Sequence, residues 1–362
     1  MKHDKQNQII FFFPDISIGG VEKNFFIISN YLAKFFERLI LITGSKPNNK
    51  LNKKIKIIKA NNLLLLFNRR LYFIYCAIKL LLECIKNRKS IIVSFQGNFY
   101  SLFIAIILKN RILIRSNLSP NAWTKNKLKK KIYEILLKQA NTIVVNSEEF
   151  KKELKKIFKI DSKVIYNPIL LKNNKNKYPI KNIFFKKDKI NLISVGRLVD
   201  QKNHIEILEA FDKLNNKISN FRLLIVGSGE KKNYLTNYIR NNSMGKFVKI
   251  ISSKNAINFI KQSDVFILSS KYEGLPNVLL EAASLNKYII SSNCKTGPKE
   301  IIKNYKYGKL YKQGNVYELN SILNNLNKHK IKHNKINYSK NMYKFSHKAN
   351  LEKYLDLIKK LN

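Results

Sequence analysis

Short unbroken runs of Ile, Val, Leu and Phe recur along the chain, separated by stretches whose apolar residues return every three or four positions. In the first half the strand-like runs are 8–13, 38–43, 54–59, 90–95, 111–115, 142–146 and 163–166. The helix-like stretches are 21–35, 63–86, 100–108, 125–139 and 148–158. The strand runs are continuous rather than alternating. Strands of that kind are buried on both faces, as in a parallel sheet covered by helices. Residues 171–189, rich in Lys and Asn, show neither period and read as a linker. After them the pattern restarts, with strands at 191–195, 222–226, 248–251, 265–268, 288–291 and 308–311 and a last helix at 348–361. The prediction is two doubly wound α/β domains. The length agrees, because 362 residues exceed the ~250–300 that one core supports.

Charge changes the picture more than hydrophobic content does. Apolar residues make up 45%, an ordinary share, but 69 Lys and Arg against 23 Asp and Glu leave a net charge of +46. Such a balance points to nucleic acid or an anionic membrane surface. Lys, Asn and Ile also dominate everywhere, as codon choice in an AT-rich genome produces, so charge alone does not choose a partner. Cys76, Cys84 and Cys294 form no C-x-x-C pair and suit a reduced, cytosolic compartment. The apolar run 9–13 is too short for a signal peptide, and the longest apolar helix, 63–85, carries Arg69, Arg70, Lys79 and Glu83. His329 and His333 have the spacing of a metal pair but lie in a basic, polar stretch and read as solvated.

Ligands of open parallel sheets bind beyond the carboxyl ends of the strands, so the loops there carry the candidate chemistry. Ser17-Ile18-Gly19-Gly20 follows the first strand and opens a helix, where backbone approaches a phosphate closely. Gly196-Arg197-Leu198, with Lys202 and Asn203 after it, follows the first strand of the second half. Arg197 can grip two oxygens and Lys202 adds a point charge, a pairing suited to a diphosphate. Gly227-Ser228-Gly229 resembles a nucleotide-binding turn. Glu273-Gly274-Leu275-Pro276-Asn277-Val278 leads into a helix bearing Glu281, so two carboxylates frame a turn with free backbone N–H groups. Cys294 to Pro298 closes the set.

In that order the loops resemble the retaining glycosyltransferases of family 4, which have the GT-B fold: two Rossmann-like domains facing a central cleft. The resemblance rests on Gly19-Gly20-Val21-Glu22, Asn167-Pro168, Gly196-Arg197-Leu198, Lys202-Asn203, Gly227-Ser228-Gly229, Glu273 with Glu281 seven residues between, and Gly297-Pro298-Lys299-Glu300. It implies an acceptor domain over 1–175, a nucleotide-sugar domain over 176–345, and a helix, 346–362, crossing back to the first domain. Gly19, Gly20, Gly196, Gly227, Ser228 and Gly229 would lie near the donor, and Arg197 and Lys202 against its diphosphate. Glu273 would meet the transferred sugar, beside the backbone of Leu275, Pro276, Asn277 and Val278, and Glu281 the ribose. Two departures stand out. Relatives often carry a histidine after the strand 111–115, where this chain has Arg115, Ser116 and Asn117, so Arg115 or Asn117 would serve the acceptor. The base-pocket loop reads Ile251-Ser252-Ser253-Lys254. No Asp-x-Asp motif is present, so no metal and no cofactor is expected besides the donor, with UDP the expected nucleotide.

The activity implied is transfer of a hexose or N-acetylhexosamine to a lipid-linked or surface-glycan acceptor. A nucleotide-sugar epimerase shares the fold but needs acid/base groups that are scarce here, and a nucleic-acid-binding protein would leave the loops unexplained. Residues 123–139, with Trp123 and lysines around Leu128, Ile132, Ile135 and Leu136, read as a basic amphipathic helix suited to an anionic membrane. The expected location is cytoplasmic, peripheral on the inner leaflet, with no nucleic-acid partner and an oligomeric state left open.

Overall fold

The computed structural model describes residues 7–16, 20–45, 47, 51–59, 68–117, 127–168, 184–253, 255–302, 308–328, 331 and 342–362. The expectations for Gly19, Trp123, Lys125, Lys254, His329 and His333, for the linker over 171–183 and for the start of the helix from residue 63 fall outside these residues. The chain divides into two compact units, Met1–Leu170 with Lys344–Asn362, and Leu171–Tyr343.

In the first unit, β1 (Ile9–Phe12), β2 (Leu39–Thr43), β3 (Ile55–Lys59), β4 (Ile91–Ser94), β5 (Arg111–Arg115), β6 (Thr142–Val145) and β7 (Lys163–Val164) form one parallel sheet. Its strand order is β3-β2-β1-β4-β5-β6-β7, so the winding reverses between β1 and β4. Successive side chains of a strand point to opposite faces. Accordingly Ile9 and Phe11 join one core with α1 (Gly20–Leu32) and the last helix α12 (His347–Leu361), while Ile10 and Phe12 join another. The second face is covered by α2 (Arg69–Lys86), α3 (Asn98–Leu108), α4 (Lys127–Lys138) and α5 (Glu148–Phe158). Ser147 caps α5 by accepting from the Phe150 N–H, and Glu148 and Glu149 complement its positive end.

Helix α12 is part of this unit's core. Tyr354 is fully buried, and the Asn350 side-chain oxygen accepts from the Tyr166 N–H at 3.1 Å. Arg111 Nη1 donates to the Asn362 carbonyl at 3.0 Å, and the Asn7 N–H donates to the Asn362 side chain at 3.0 Å.

The second unit repeats the architecture with β8 (Ile190–Val195), β9 (Phe221–Val226), β10 (Val248–Ile251), β11 (Val265–Leu268), β12 (Tyr288–Ser292) and β13 (Gly308–Tyr311). The order is β10-β9-β8-β11-β12-β13, again all parallel with one reversal, between β8 and β11. Helices α6 (His204–Asp212), α7 (Lys232–Asn241), α8 (Ala256–Gln262), α9 (Asn277–Ser284) and α10 (Pro298–Ile302) connect the strands, and α11 (Val316–Asn324) follows β13.

Burial on both faces holds for the central strands and fails at the edges. Strands β1, β2, β4, β8 and β11 are buried throughout, whereas β3 exposes Lys56 and Lys59, β10 exposes Lys249 and β13 exposes Lys309. An edge strand has a neighbour on one side only, and an exposed lysine there discourages pairing with another chain.

Candidate active site

In the second unit the loops at the carboxyl ends of five adjacent strands are bonded to one another in sequence. The Ser252 hydroxyl, after β10, donates to the Gly227 carbonyl at 3.1 Å. Gly227, after β9, lies so close to the loop after β8 that a Cβ there would stand 1.9 Å from the Gly196 carbonyl oxygen. That position excludes every residue but glycine. The Leu198 N–H donates to Ser228 O at 2.9 Å and the Lys231 N–H to Leu198 O at 2.9 Å. The chain then turns into α6 at Asn203, whose φ of 49° is a left-handed conformation that asparagine tolerates.

The loop after β8 is tied in turn to the loop after β11. The Lys271 N–H donates to Gln201 O at 2.9 Å, and Ser269 Oγ donates to Lys202 O at 2.9 Å. The Gln201 side chain spans both: its Nε2 donates to Tyr272 O at 2.9 Å and its Oε1 accepts from Arg197 Nη2 at 3.3 Å. Lys202 Nζ ion-pairs with Glu273 Oε1, an oxygen that also accepts from Ser270 Oγ at 2.6 Å. The Lys202 and Glu273 side chains are only 15% and 8% exposed, so each charge needs the other. Thr296 Oγ1 donates to the Glu273 carbonyl, and Tyr272 pairs with Lys295 in a parallel bridge. Gly297, at φ 94°, packs where a Cβ would meet Gly274 O at 2.1 Å, which fixes the loop after β12 against the Glu-Gly-Leu-Pro turn.

Two further groups sit beneath this arc. His204, the first residue of α6, is buried, with Nδ1 3.3 Å from Ser194 Oγ and Nε2 toward the backbone at Gly196 and Arg197. Burial, and then the Lys202 charge, lower its pKa to about 4, so the imidazole is neutral at pH 7. The Cys294 thiol is pushed up to about 12 by burial first and by the Glu273 carboxylate second.

The predicted donor residues of the second unit thus gather at one end of its sheet, with differences in detail. Leu275 is buried, Asn277 and Val278 are half-buried at the start of α9, and Glu281 is buried one turn in. Gly227 is half-buried, and Ser228 and Gly229 are exposed. Lys202 and Glu273, expected to address different parts of a donor, are ion-paired to each other. Arg197 is exposed and reaches Gln201 rather than Lys202. Gly20 belongs to the first unit, exposed at the start of α1. Gln201 and Thr296 lie in predicted loops without being singled out there, and Ser270, Ser194 and His204 are not among the predicted site residues. Lone polar residues carry no period or spacing signal, and only the fold brings them beneath the loops.

Arg115, an acceptor-side candidate, is tied into the core of its own unit. It is 1% exposed, at the end of β5, and its guanidinium is bonded to neutral oxygens: Nε to Tyr354 OH at 2.8 Å, Nη2 to Asn167 Oδ1 at 2.6 Å, and Nη1 to Asn117 Oδ1. The bond to Tyr354 braces β5 against α12. Asn117 is half-buried, with its amide donating to Phe95 O at 3.1 Å.

Two doubly wound domains, with phosphate-type turns, a basic loop and two carboxylates at the strand ends of the second, define a nucleotide-fold enzyme class of GT-B architecture. Family models agree. One described as glycosyl transferases group 1 matches residues 176–345, and one described as glycosyltransferase family 4 matches residues 18–172. Between them they account for nearly the whole chain, which is made of these two glycosyltransferase family domains. It is 32% identical over 246 residues to a glycosyltransferase of Methanocaldococcus jannaschii, covering 61% of this chain and 60% of that protein. It is 28% identical to a Haemophilus influenzae glycosyltransferase, covering 86% and 88%. It is 27% identical to a Campylobacter jejuni N-acetylgalactosaminyltransferase whose name specifies a diphospho-undecaprenol-linked acceptor, covering 57% and 58%. Thus some matched relatives are spanned for little more than half their length and others almost fully. Among solved structures, a Rickettsia africae glycosyltransferase superposes with a TM-score of 0.76 at 20% identity over 99% of both chains. Anabaena HepE in complex with UDP does so with a TM-score of 0.75 at 13% identity, over 98% of this chain and 100% of that one. These two show the fold.

Proposed function

We propose that the chain is a retaining glycosyltransferase that moves a hexose or N-acetylhexosamine from a UDP-sugar to a lipid-linked or surface-glycan acceptor. The observation that carries the reading is the buried Lys202–Glu273 pair, held by Ser270 and Thr296 beside the Gly196 and Gly227 turns. Backbone at those turns approaches a diphosphate closely, and Lys202 with Arg197 neutralises the charge that grows on it as the bond to the sugar breaks. Lys202 then exchanges part of its pairing with Glu273 for the phosphate, and the freed carboxylate accepts hydrogen bonds from sugar hydroxyls. Glu281 accepts from the ribose, and backbone N–H groups at the start of α9 face the donor. The first unit, with Asn117, serves the acceptor side.

In the reaction the bond from anomeric carbon to phosphate oxygen breaks and a bond to the acceptor oxygen forms on the same face. The acceptor's proton passes to the departing phosphate, so no protein base and no metal or cofactor is required by the scheme. The UDP complex of HepE and the polyprenyl-diphosphate acceptor named for the Campylobacter relative support the substrate classes. The same reading puts the enzyme at the inner leaflet of a membrane, where such acceptors lie. Incubating the protein with a panel of UDP-sugars and polyprenyl-diphosphate-linked acceptors, with and without EDTA, tests this. UDP release that depends on acceptor and survives EDTA, with an axial product linkage from an axial donor by NMR, supports it. An inverted linkage or loss of activity in EDTA refutes the corresponding part.

A further inference from the structure

Helices α2, α3 and α4 lie side by side on one face of the first sheet, with α3 between the others. The seams are aromatic: Phe73 of α2 meets Tyr100 of α3 at 6.2 Å, and Phe99 of α3 meets Tyr133 of α4 at 5.8 Å. Each helix buries one stripe in the core, α2 through Tyr72, Cys76, Leu80 and Cys84, α3 through Leu102 and Ala105, and α4 through Leu137. A surface helix should then present a polar opposite face. These three do not. On α2, Leu71, Ile74, Ile78, Leu82 and Ile85 are all exposed. At 3.6 residues per turn they fall within roughly an 80° arc, opposite the buried stripe and about 20 Å long. On α3 the outward residues are Phe103, Ile106 and Ile107, and on α4 they are Leu128, Ile132 and Ile135. All three helices are therefore apolar on both sides, and their outer stripes form one broad surface far beyond the scatter of single exposed residues.

The charge around this surface selects its occupant. Helices α2 and α4 carry nine basic residues against two acidic ones, and α3 carries none of either. Both acidic side chains are neutralised from their own helix, Glu83 by Lys86 at 2.8 Å and Glu134 by Lys138 at 2.7 Å. An apolar platform rimmed by uncompensated lysine is complementary to anionic lipid, and a second copy of a chain of charge +46 would be repelled. Among the described residues no helix is long and apolar enough to cross a membrane, so α2 would lie in the interface plane.

We infer that the outer face of α2, α3 and α4 is a platform that inserts into the headgroup region of an anionic bilayer, with α2 the deepest element. This deepens the proposed function by naming the membrane-facing surface, and it enlarges the single basic helix expected from the sequence. The test uses the full chain and sedimentation with phosphatidylcholine vesicles, with or without about one third phosphatidylglycerol, free of donor and acceptor. A failure here therefore leaves the catalytic reading standing. The native chain is expected to partition to anionic vesicles and to retain part of that binding in high salt, because apolar insertion is not screened. Two α2 variants separate insertion from charge attraction. Ile78→Glu with Leu82→Glu and Ile78→Lys with Leu82→Lys should each lower partition at least tenfold with unchanged circular dichroism. A lysine variant that binds as well as the native chain, or better, overturns insertion. Should the α2 variants not fold, Leu128→Glu with Ile135→Glu on α4 carries the same expectation. A native chain that ignores vesicles and forms a dimer dissociated by these substitutions overturns the lipid assignment in favour of a second copy.

Discussion

Replacing Lys202 with Met strands the Glu273 carboxylate in a place where only 8% of its side chain meets water. Its remaining side-chain partner would be Ser270 Oγ at 2.6 Å. Breaking a buried pair from one side costs about 3–5 kcal/mol, and at these exposures little is recovered from solvent. Replacing Glu273 with Gln at the same time removes both charges, while the Gln oxygen still accepts from Ser270, so the double variant should cost only about 1–2 kcal/mol. The cycle therefore predicts a coupling of at least about 2 kcal/mol between the positions. Hydrogen-exchange mass spectrometry on peptides from β8, β11 and α9 reads the stability of this unit without interference from the other. Single variants that each cost under about 1 kcal/mol and simply add would mean that the pair behaves as an exposed salt bridge, and the picture of a buried charge clamp would fail.

His204 makes stability pH-dependent. Its folded pKa of about 4 lies below the unfolded value of 6.5, so between those values the unfolded chain takes up a proton that the folded chain refuses. Stability of the second unit should be full above pH 6.5 and fall by about 3 kcal/mol toward pH 4. An imidazole signal in NMR that titrates near 6.5 in the folded chain would contradict this. Gly227→Ala should lower the melting temperature by several degrees or prevent folding, because its Cβ would strike backbone 1.9 Å away, while Gly245→Ala, with nothing within 4 Å, should be close to neutral. Cys76, Cys84 and Cys294 are all buried, with pKa values pushed up to about 12 by burial, so a thiol reagent at pH 7 should label none in the folded protein and all three in urea. Rapid labelling of Cys294 in the folded chain would show that the loop after β12 opens.

The sheets were legible because hydrophobic period is a local signal. Strands such as Val265–Leu268 and helices such as Glu148–Phe158 have the bounds that their runs suggest. The edge strands were not separable from the central ones, since IKIIK in β3 looks like any apolar run until its neighbours are known. The strand-end loops announced themselves through glycine and paired carboxylates, whose spacing is fixed by the turn. What sequence could not supply was pairing between loops distant along the chain. Lys202 and Glu273 are seventy-one residues apart, and their ion pair exists only because β8 and β11 are neighbours. The surroundings of Arg115 were hidden for the same reason, since only the return of α12 brings Tyr354 to its guanidinium.

The central claim is that the Lys202–Glu273 end of the second sheet takes a nucleotide sugar and releases its diphosphate. The most direct measurement is acceptor-dependent UDP release by the native chain beside Lys202→Ala and Glu281→Ala, each confirmed folded by circular dichroism. The account predicts that Lys202→Ala lowers kcat by roughly a hundredfold or more, as for loss of a group that stabilises developing charge. It predicts that Glu281→Ala raises the donor KM by roughly ten- to a hundredfold, as for loss of a charged hydrogen-bond acceptor. Full turnover in both variants would contradict the account and move the reaction away from these residues.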